Sequence, residues 1–121
     1  MLFHLAGPVP ADLGVSNGAL RDCPATAHCS SQTWASSDPM ADFSKLNGLV
    51  QESPRTVVID QTETYLHAEA SSAFFGFVDD LELFADRDNN RIQARSESRL
   101  GESDLGVNSA RLAALRSGLE S

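Results

Sequence analysis

Between residues 95 and 111 the chain reads Arg95-Ser-Glu-Ser-Arg-Leu-Gly-Glu-Ser-Asp-Leu-Gly-Val-Asn-Ser-Ala-Arg111. These are groups that can hold an anion. Arg95, Arg99 and Arg111 supply guanidinium forks, and Ser96 and Ser98 supply hydroxyls. Asp104 and Asn108 stand in or next to a glycine-bearing loop that leads to a helix N-terminus, where free amides and the helix dipole favour negative charge. The bland alternative is internal pairing, because Asp79, Asp80, Glu82, Glu97, Glu102 and Asp104 lie close in sequence or across a hairpin and suffice to satisfy these arginines. Asp79 is the sharper oddity: the expected pairing puts it on a core face beside Ser96 and Ser98. An unpartnered buried carboxylate costs several kcal/mol, so it must accept hydrogen bonds from those hydroxyls, a loop amide or an arginine. Asp79 and Asp80 therefore read as a fold-specifying polar network first, and Asp79 as a general base second, since a base needs a cleft and a raised pKa.

Other chemistry is weaker. Cys23, His28 and Cys29, with His4 as a distant fourth, are poorly spaced for zinc, which wants four ligands. A Cys23 to Cys29 disulfide in an oxidising compartment and two reduced thiols in the cytosol are the alternatives that remain. The serines lack a Gly-x-Ser-x-Gly elbow, and His67 alternates with Tyr65 and Glu69, which makes it a half-exposed sheet residue. Phe74, Phe75 and Phe77 around Gly76 read as core or a bent connection, and Trp34 as a pin for the N-terminal segment. No catalytic constellation, cofactor motif or metal site is expected.

The elements that must position these residues follow from pattern. Residues 1–37 show neither helical nor alternating periodicity and predict an irregular wrap, anchored by Leu2, Phe3 and Leu5 and turning over Pro10 to Gly14 and again over Ser16 to Gly18. Asp38-Pro39 starts a helix over Pro39 to Glu52, carrying Phe43, Leu46, Leu49 and Val50 and ended by Ser53-Pro54. Thr56 to Ile59, Tyr65 to Ser72, Phe77 to Ala85 and Arg91 to Leu100 predict four strands, the last two joined by a turn at Asp86 to Asn90. Pairing Asp86 with Arg91 puts Phe77, Asp79, Leu81, Leu83 and Ala85 with Ile92, Ala94, Ser96, Ser98 and Leu100 on a core face. Asp80, Glu82 and Phe84 then oppose Gln93, Arg95, Glu97 and Arg99 on the other, with Glu82 beside Arg95. A last helix capped by Asn108 carries Leu112, Leu115 and Leu119. The expected class is α+β: a four-stranded antiparallel meander packed on one face by two helices, with residues 1–37 a wrap and 38–121 a single domain.

The 121 residues suffice for one core. Seventeen acids against nine cations, eight of them arginine with Lys45 the exception, give a net charge of −8. That balance argues against nucleic acid as a partner, since phosphate neutralisation needs cations. No apolar run is long enough to span a membrane, and Met1 to Pro10 lacks the positive start of a signal peptide. A cytoplasmic location follows if Met1 is the native start; a trimmed signal would place the chain in the thylakoid lumen or periplasm.

Ala6-Gly-Pro-Val-Pro-Ala-Asp-Leu-Gly-Val15, Cys23-Pro24, Cys29-Ser-Ser-Gln32, Tyr65-Leu-His-Ala-Glu69, Gly76-Phe-Val-Asp-Asp80 and the stretch from Arg95 to Asn108 with Arg111 together resemble the bacterial and plastid family known as domain of unknown function number 1499. The Leu13-Gly-Val15 turn is similar to cyanobacterial and chloroplast versions, which implies a photosynthetic source. Ala27 and His28 stand where the family has proline and asparagine. The family implies a fold but no activity. The leading expectation is a non-enzymatic accessory or binding protein that recognises a protein partner or an anionic ligand through the arginine-rich sheet face at Arg95 and Arg99. The alternatives are a small enzyme or anion binder using Asp79, Arg95, Arg99 and the Gly101 to Asn108 loop, and a structural subunit of a larger assembly.

Overall fold

The computed structural model describes residues 7–24, 27–71, 77–100 and 104–121. The anchor at Leu2, Phe3 and Leu5, His4, the aromatic pair Phe74 and Phe75, Gly76, and the Gly101 to Ser103 part of the loop lie outside the described residues. In chain order the elements are β1 (Val15–Ser16), β2 (Ala19–Leu20), β3 (Cys29–Ala35), α1 (Pro39–Glu52), β4 (Thr56–Gln61), β5 (Tyr65–Ser71), β6 (Val78–Asp86), a 3-10 turn (Arg87–Asn89), β7 (Arg91–Ser98) and α2 (Val107–Glu120).

Asp38 caps α1 by accepting from the Ala41 amide at 3.1 Å, and Pro39 takes the first turn, where its missing N–H costs nothing. Phe43, Leu46 and Val50 form the buried stripe. Ser53 leaves the helix in extended conformation immediately before Pro54. The β6–β7 hairpin has the expected register, with Asp86 opposite Arg91, Glu82 opposite Arg95 and Asp79 opposite Ser98. Asp86 locks its turn by accepting from Asn89 and Arg91, and Asn90 takes the left-handed conformation that asparagine tolerates. Leu66, Ala68, Leu81, Leu83, Ala85, Ile92 and Ala94 face the helices, where Leu46, Val50, Leu112 and Leu115 complete the core.

The meander has five strands, not four, in the order β3-β7-β6-β5-β4. The extra strand comes from the segment read as irregular wrap: Cys29–Ala35 pairs antiparallel with β7 along its whole length. Four consecutive polar residues, Ser30 to Thr33, hide its alternation; Trp34, opposite Ile92, enters the core. The rest of the wrap forms the separate β1–β2 hairpin, turned by Asn17 and Gly18, both at positive φ, as a two-residue type I′ connection requires.

This hairpin covers the sheet face away from the helices and is tied to it by side chains. The Glu82 carboxylate accepts from the Gly14 amide at 2.7 Å, and Gln93 accepts from the Leu20 amide at 2.9 Å while donating to the Gly18 carbonyl. Cys23 and Cys29 are joined in a disulfide, which tacks the end of this strap to the edge strand and takes both sulfurs from the metal alternative.

If β3 is part of the core, Trp34→Ala should destabilise the protein by about 3–5 kcal/mol in urea unfolding. A loss under about 1 kcal/mol would return the segment to a loose wrap.

Candidate functional site

Strand alternation divides the polar residues of β7, and Arg99 just past its end, between two sites on opposite faces of the sheet. Arg95, Glu97 and Arg99 lie under the strap with Asp80 and Glu82, while Ser96 and Ser98 face α2 with Asp79.

On the strap side the arginines are paired internally. Arg95 is 1% exposed and Glu82 0%. Arg95 pairs with Glu97 at 2.5 Å and Glu82 at 3.4 Å, and Glu97 also holds Arg21 at 2.6 Å. Arg99 grips both oxygens of Asp80 at 2.8 Å and reaches Glu69 at 2.7 Å. Arg95 and Arg99 share the expected face, but the strap lies over Arg95, and four carboxylates, Glu82, Glu97, Asp80 and Glu69, hold their forks. His67 is likewise buried rather than half-exposed, with Nε2 2.7 Å from Asp80. Burial alone would raise the Asp80 pKa, but hydrogen bonds from Arg99 and His67 outweigh it and hold the carboxyl below its ordinary range. Arg99 is pushed up, first by its hydrogen bond to Asp80. Burial, with the Glu82 hydrogen bond and charge, raises the Tyr65 phenol.

The second site is the strand-to-helix junction, where Asn108 has a different job from the one expected. It is not the helix cap. Its side chain is fully buried: Oδ1 accepts from Ser96 at 2.6 Å, and Nδ2 donates to Ser98 at 2.9 Å, Asp104 at 2.7 Å and the His28 carbonyl at 3.2 Å. The capping carboxylate is Asp104, which accepts from the Gly106 amide at 2.7 Å and the Asn108 amide at 3.3 Å. Gly106 sits at φ +83, a left-handed turn that opens α2. Against the cost of burial, the Asn108 side chain and these amides hold the Asp104 pKa low. Donors from Arg91, Asn89 and Gln93 do the same for Asp86.

Arg111, one turn into α2, completes the junction. Its Nη1 donates to Asp79 at 2.8 Å, Asn108 Oδ1 at 3.0 Å and Ser96 at 3.1 Å. Among the described residues all its internal bonds fall on this one nitrogen, and the Nε–H and Nη2–H edge, the side-on fork of the guanidinium, has no partner there. Arg111 lines a cleft of about 320 Å³ between the end of α1, the β4–β5 edge and the start of α2. Arg55 lines the same cleft; it is exposed, at φ +53, and among the described residues its side chain makes one hydrogen bond, from Nε to the Ser71 carbonyl at 3.3 Å. Among the described residues no carboxylate lines this cleft. Of the seven site residues expected from sequence, Ser96, Ser98, Asp104, Asn108 and Arg111 come together here with Asp79; Arg95 and Arg99 do not. Arg55 was missed. Its turn, Ser53-Pro54-Arg55-Thr56, carries no signal that it faces α2.

A family model described as protein of unknown function (DUF1499) matches residues 13–119. The chain belongs to this family. The match takes in both polar networks and the whole cleft. A search of curated proteins returned no match. No helix among the described residues is long and apolar enough to cross a membrane.

Asp80, Asp86 and Asp104 have folded-state pKa values below the ordinary carboxylate value, so the unfolded chain takes up protons first. Their contribution to stability should be complete above about pH 5 and drain away as pH falls through their folded values, below about pH 4. Urea titrations across that range should show a falling midpoint, less steep in Asp104→Asn; a midpoint independent of pH would contradict these networks.

Proposed function

We propose that this protein is a binding module for an anionic group, a carboxylate or phosphate, held in the cleft between α1, β4 and α2 by Arg111 and Arg55. The observation that carries this reading is the division of labour within Arg111. Three internal acceptors on Nη1 fix the plane of the guanidinium, and its other edge offers two parallel N–H donors with the spacing of a bidentate oxyanion. A preorganised fork loses little side-chain entropy on binding. Arg55 adds a second, adaptable cation in a chain whose net charge is −8, and among the described residues no acid lines the cleft that the two arginines share.

The buried arginines differ in kind. Arg95 spends its charge on Glu97 and Glu82, which hold the strap, and Arg99 on Asp80 and Glu69, and a ligand would have to displace these carboxylates to reach them. Asp79 belongs to the support of Arg111 in this reading, not to a reacting group.

Inorganic phosphate should raise the melting temperature of the protein relative to chloride at matched ionic strength, as any ligand of the native state does. Arg55→Gln, an exposed change, should leave the phosphate-free melting temperature unaltered and weaken phosphate binding by about tenfold, in line with the loss of one or two charge-assisted hydrogen bonds. Arg111→Lys keeps a cation for Asp79 but removes the fork, and should also lose phosphate stabilisation. A phosphate effect that survives both substitutions would refute the site.

A further inference from the structure

The open edge of the sheet begins at the cleft. β4 is the outermost strand and, among the described residues, pairs only with β5. The Ser71 amide donates to the Arg55 carbonyl at 2.9 Å, so Arg55 and Ser71 form a hydrogen-bonded pair. Because such pairs alternate along an antiparallel ladder, the backbone groups of Thr56 and Val58 point away from β5, toward solvent. The far end of the same edge is closed. A bulge interrupts the register between Val58 and Asp60, and the Gln61 amide is taken by its neighbour's carboxylate, Asp60, at 2.9 Å. Bulges and inward-folded acids protect an edge from indiscriminate pairing. What is left unprotected is a short stretch beside Arg55. Val57 and Ile59 on this strand are 60% and 52% exposed, apolar surface that an added strand would cover.

We infer that the anionic group is the C-terminal carboxylate of a partner protein, delivered by an extended peptide that adds antiparallel to β4 as a sixth strand. The inference rests on the anion-binding reading above and supplies its partner. Direction follows from geometry: β4 runs away from Arg55, so an antiparallel strand ends at Arg55, and its terminal carboxylate reaches the Arg111 fork. Main-chain hydrogen bonds to Thr56 and Val58 supply affinity, Val57 and Ile59 select apolar or β-branched side chains, and the two guanidinium groups read the end of the chain. The protein's charge of −8 disfavours a polyacidic segment, so the preferred peptide is neutral or basic apart from its terminus.

The test uses the full chain and a fluorescent hexapeptide of alternating valine and threonine in four forms: free acid, C-terminal amide, amide with an internal glutamate, and free acid with alternate backbone amides N-methylated. Fluorescence polarisation should show the free acid binding about tenfold tighter than the amide. N-methylation should abolish binding, and hydrogen exchange at Thr56 and Val58 should slow only with the free acid. Arg55→Gln should erase the difference between acid and amide. Equal binding of acid and amide overturns the inference, as does indifference to N-methylation, unchanged exchange at Thr56 and Val58, or a dimer of this chain occupying the edge. A glutamate amide that binds as well as the free acid also overturns it, since the terminus is then not what is read. If phosphate binds at Arg111 and none of the peptides does, the anion site stands and the peptide inference falls; if neither binds, both fall.

Discussion

Arg95 is a full charge withdrawn from water, and much of the fold is arranged to make that tolerable. A buried cation needs carboxylates at bonding distance, and those carboxylates need donors of their own. Glu97 must therefore stand two residues along on β7 and Glu82 directly across on β6, which fixes the hairpin register. Glu82 is completed by the Tyr65 hydroxyl at 2.6 Å and the Gly14 amide, and Glu97 by Arg21, so the strap is held to the sheet by the same charges it covers. Removing one partner from such a set costs more than the pair contributes, because the survivor is left charged and dry. Among the described residues the Nε of Arg95 has no acceptor.

The helix side of the sheet gathers its charged groups around one neutral amide. Asn108 reaches β7, the capping Asp104 and the His28 carbonyl in one side chain. The Cys23–Cys29 disulfide closes the loop that carries His28, so the strap and the start of α2 are braced through a shared point. Arg111 is held by this junction but not used up by it. That difference separates a guanidinium that supports the fold from one free to meet a ligand.

How much of this was legible in the sequence depended on how local the cause was. Helix α1 was readable because Asp38, Pro39 and Pro54 act on their own neighbours, and the β6–β7 register because a period of two sorts Leu81, Leu83, Ile92 and Ala94 from Glu82, Arg95 and Arg99. The family likeness was carried by the same segments, and the match over residues 13–119 establishes it. Strand β3 was hidden because Ser30 to Thr33 are polar, and their place beside β7 is decided by pairing sixty residues away in sequence. Exposure of the arginine face was misjudged for the same reason: alternation says which face a side chain takes, but not what lies over it. Asn108 has the composition of a cap and is outcompeted for that role by Asp104, because Ser96 and Ser98 offer its amide better partners inside.

The central claim is that one guanidinium edge is open while its neighbours are closed, and arginine Nε–H resonances report on it directly. In a proton–nitrogen spectrum recorded with and without inorganic phosphate, the Arg111 and Arg55 signals should move and exchange rapidly with water, and those of Arg95 and Arg99 should stay in place and exchange slowly. Phosphate-dependent shifts at Arg95 or Arg99 with none at Arg111 would contradict the account.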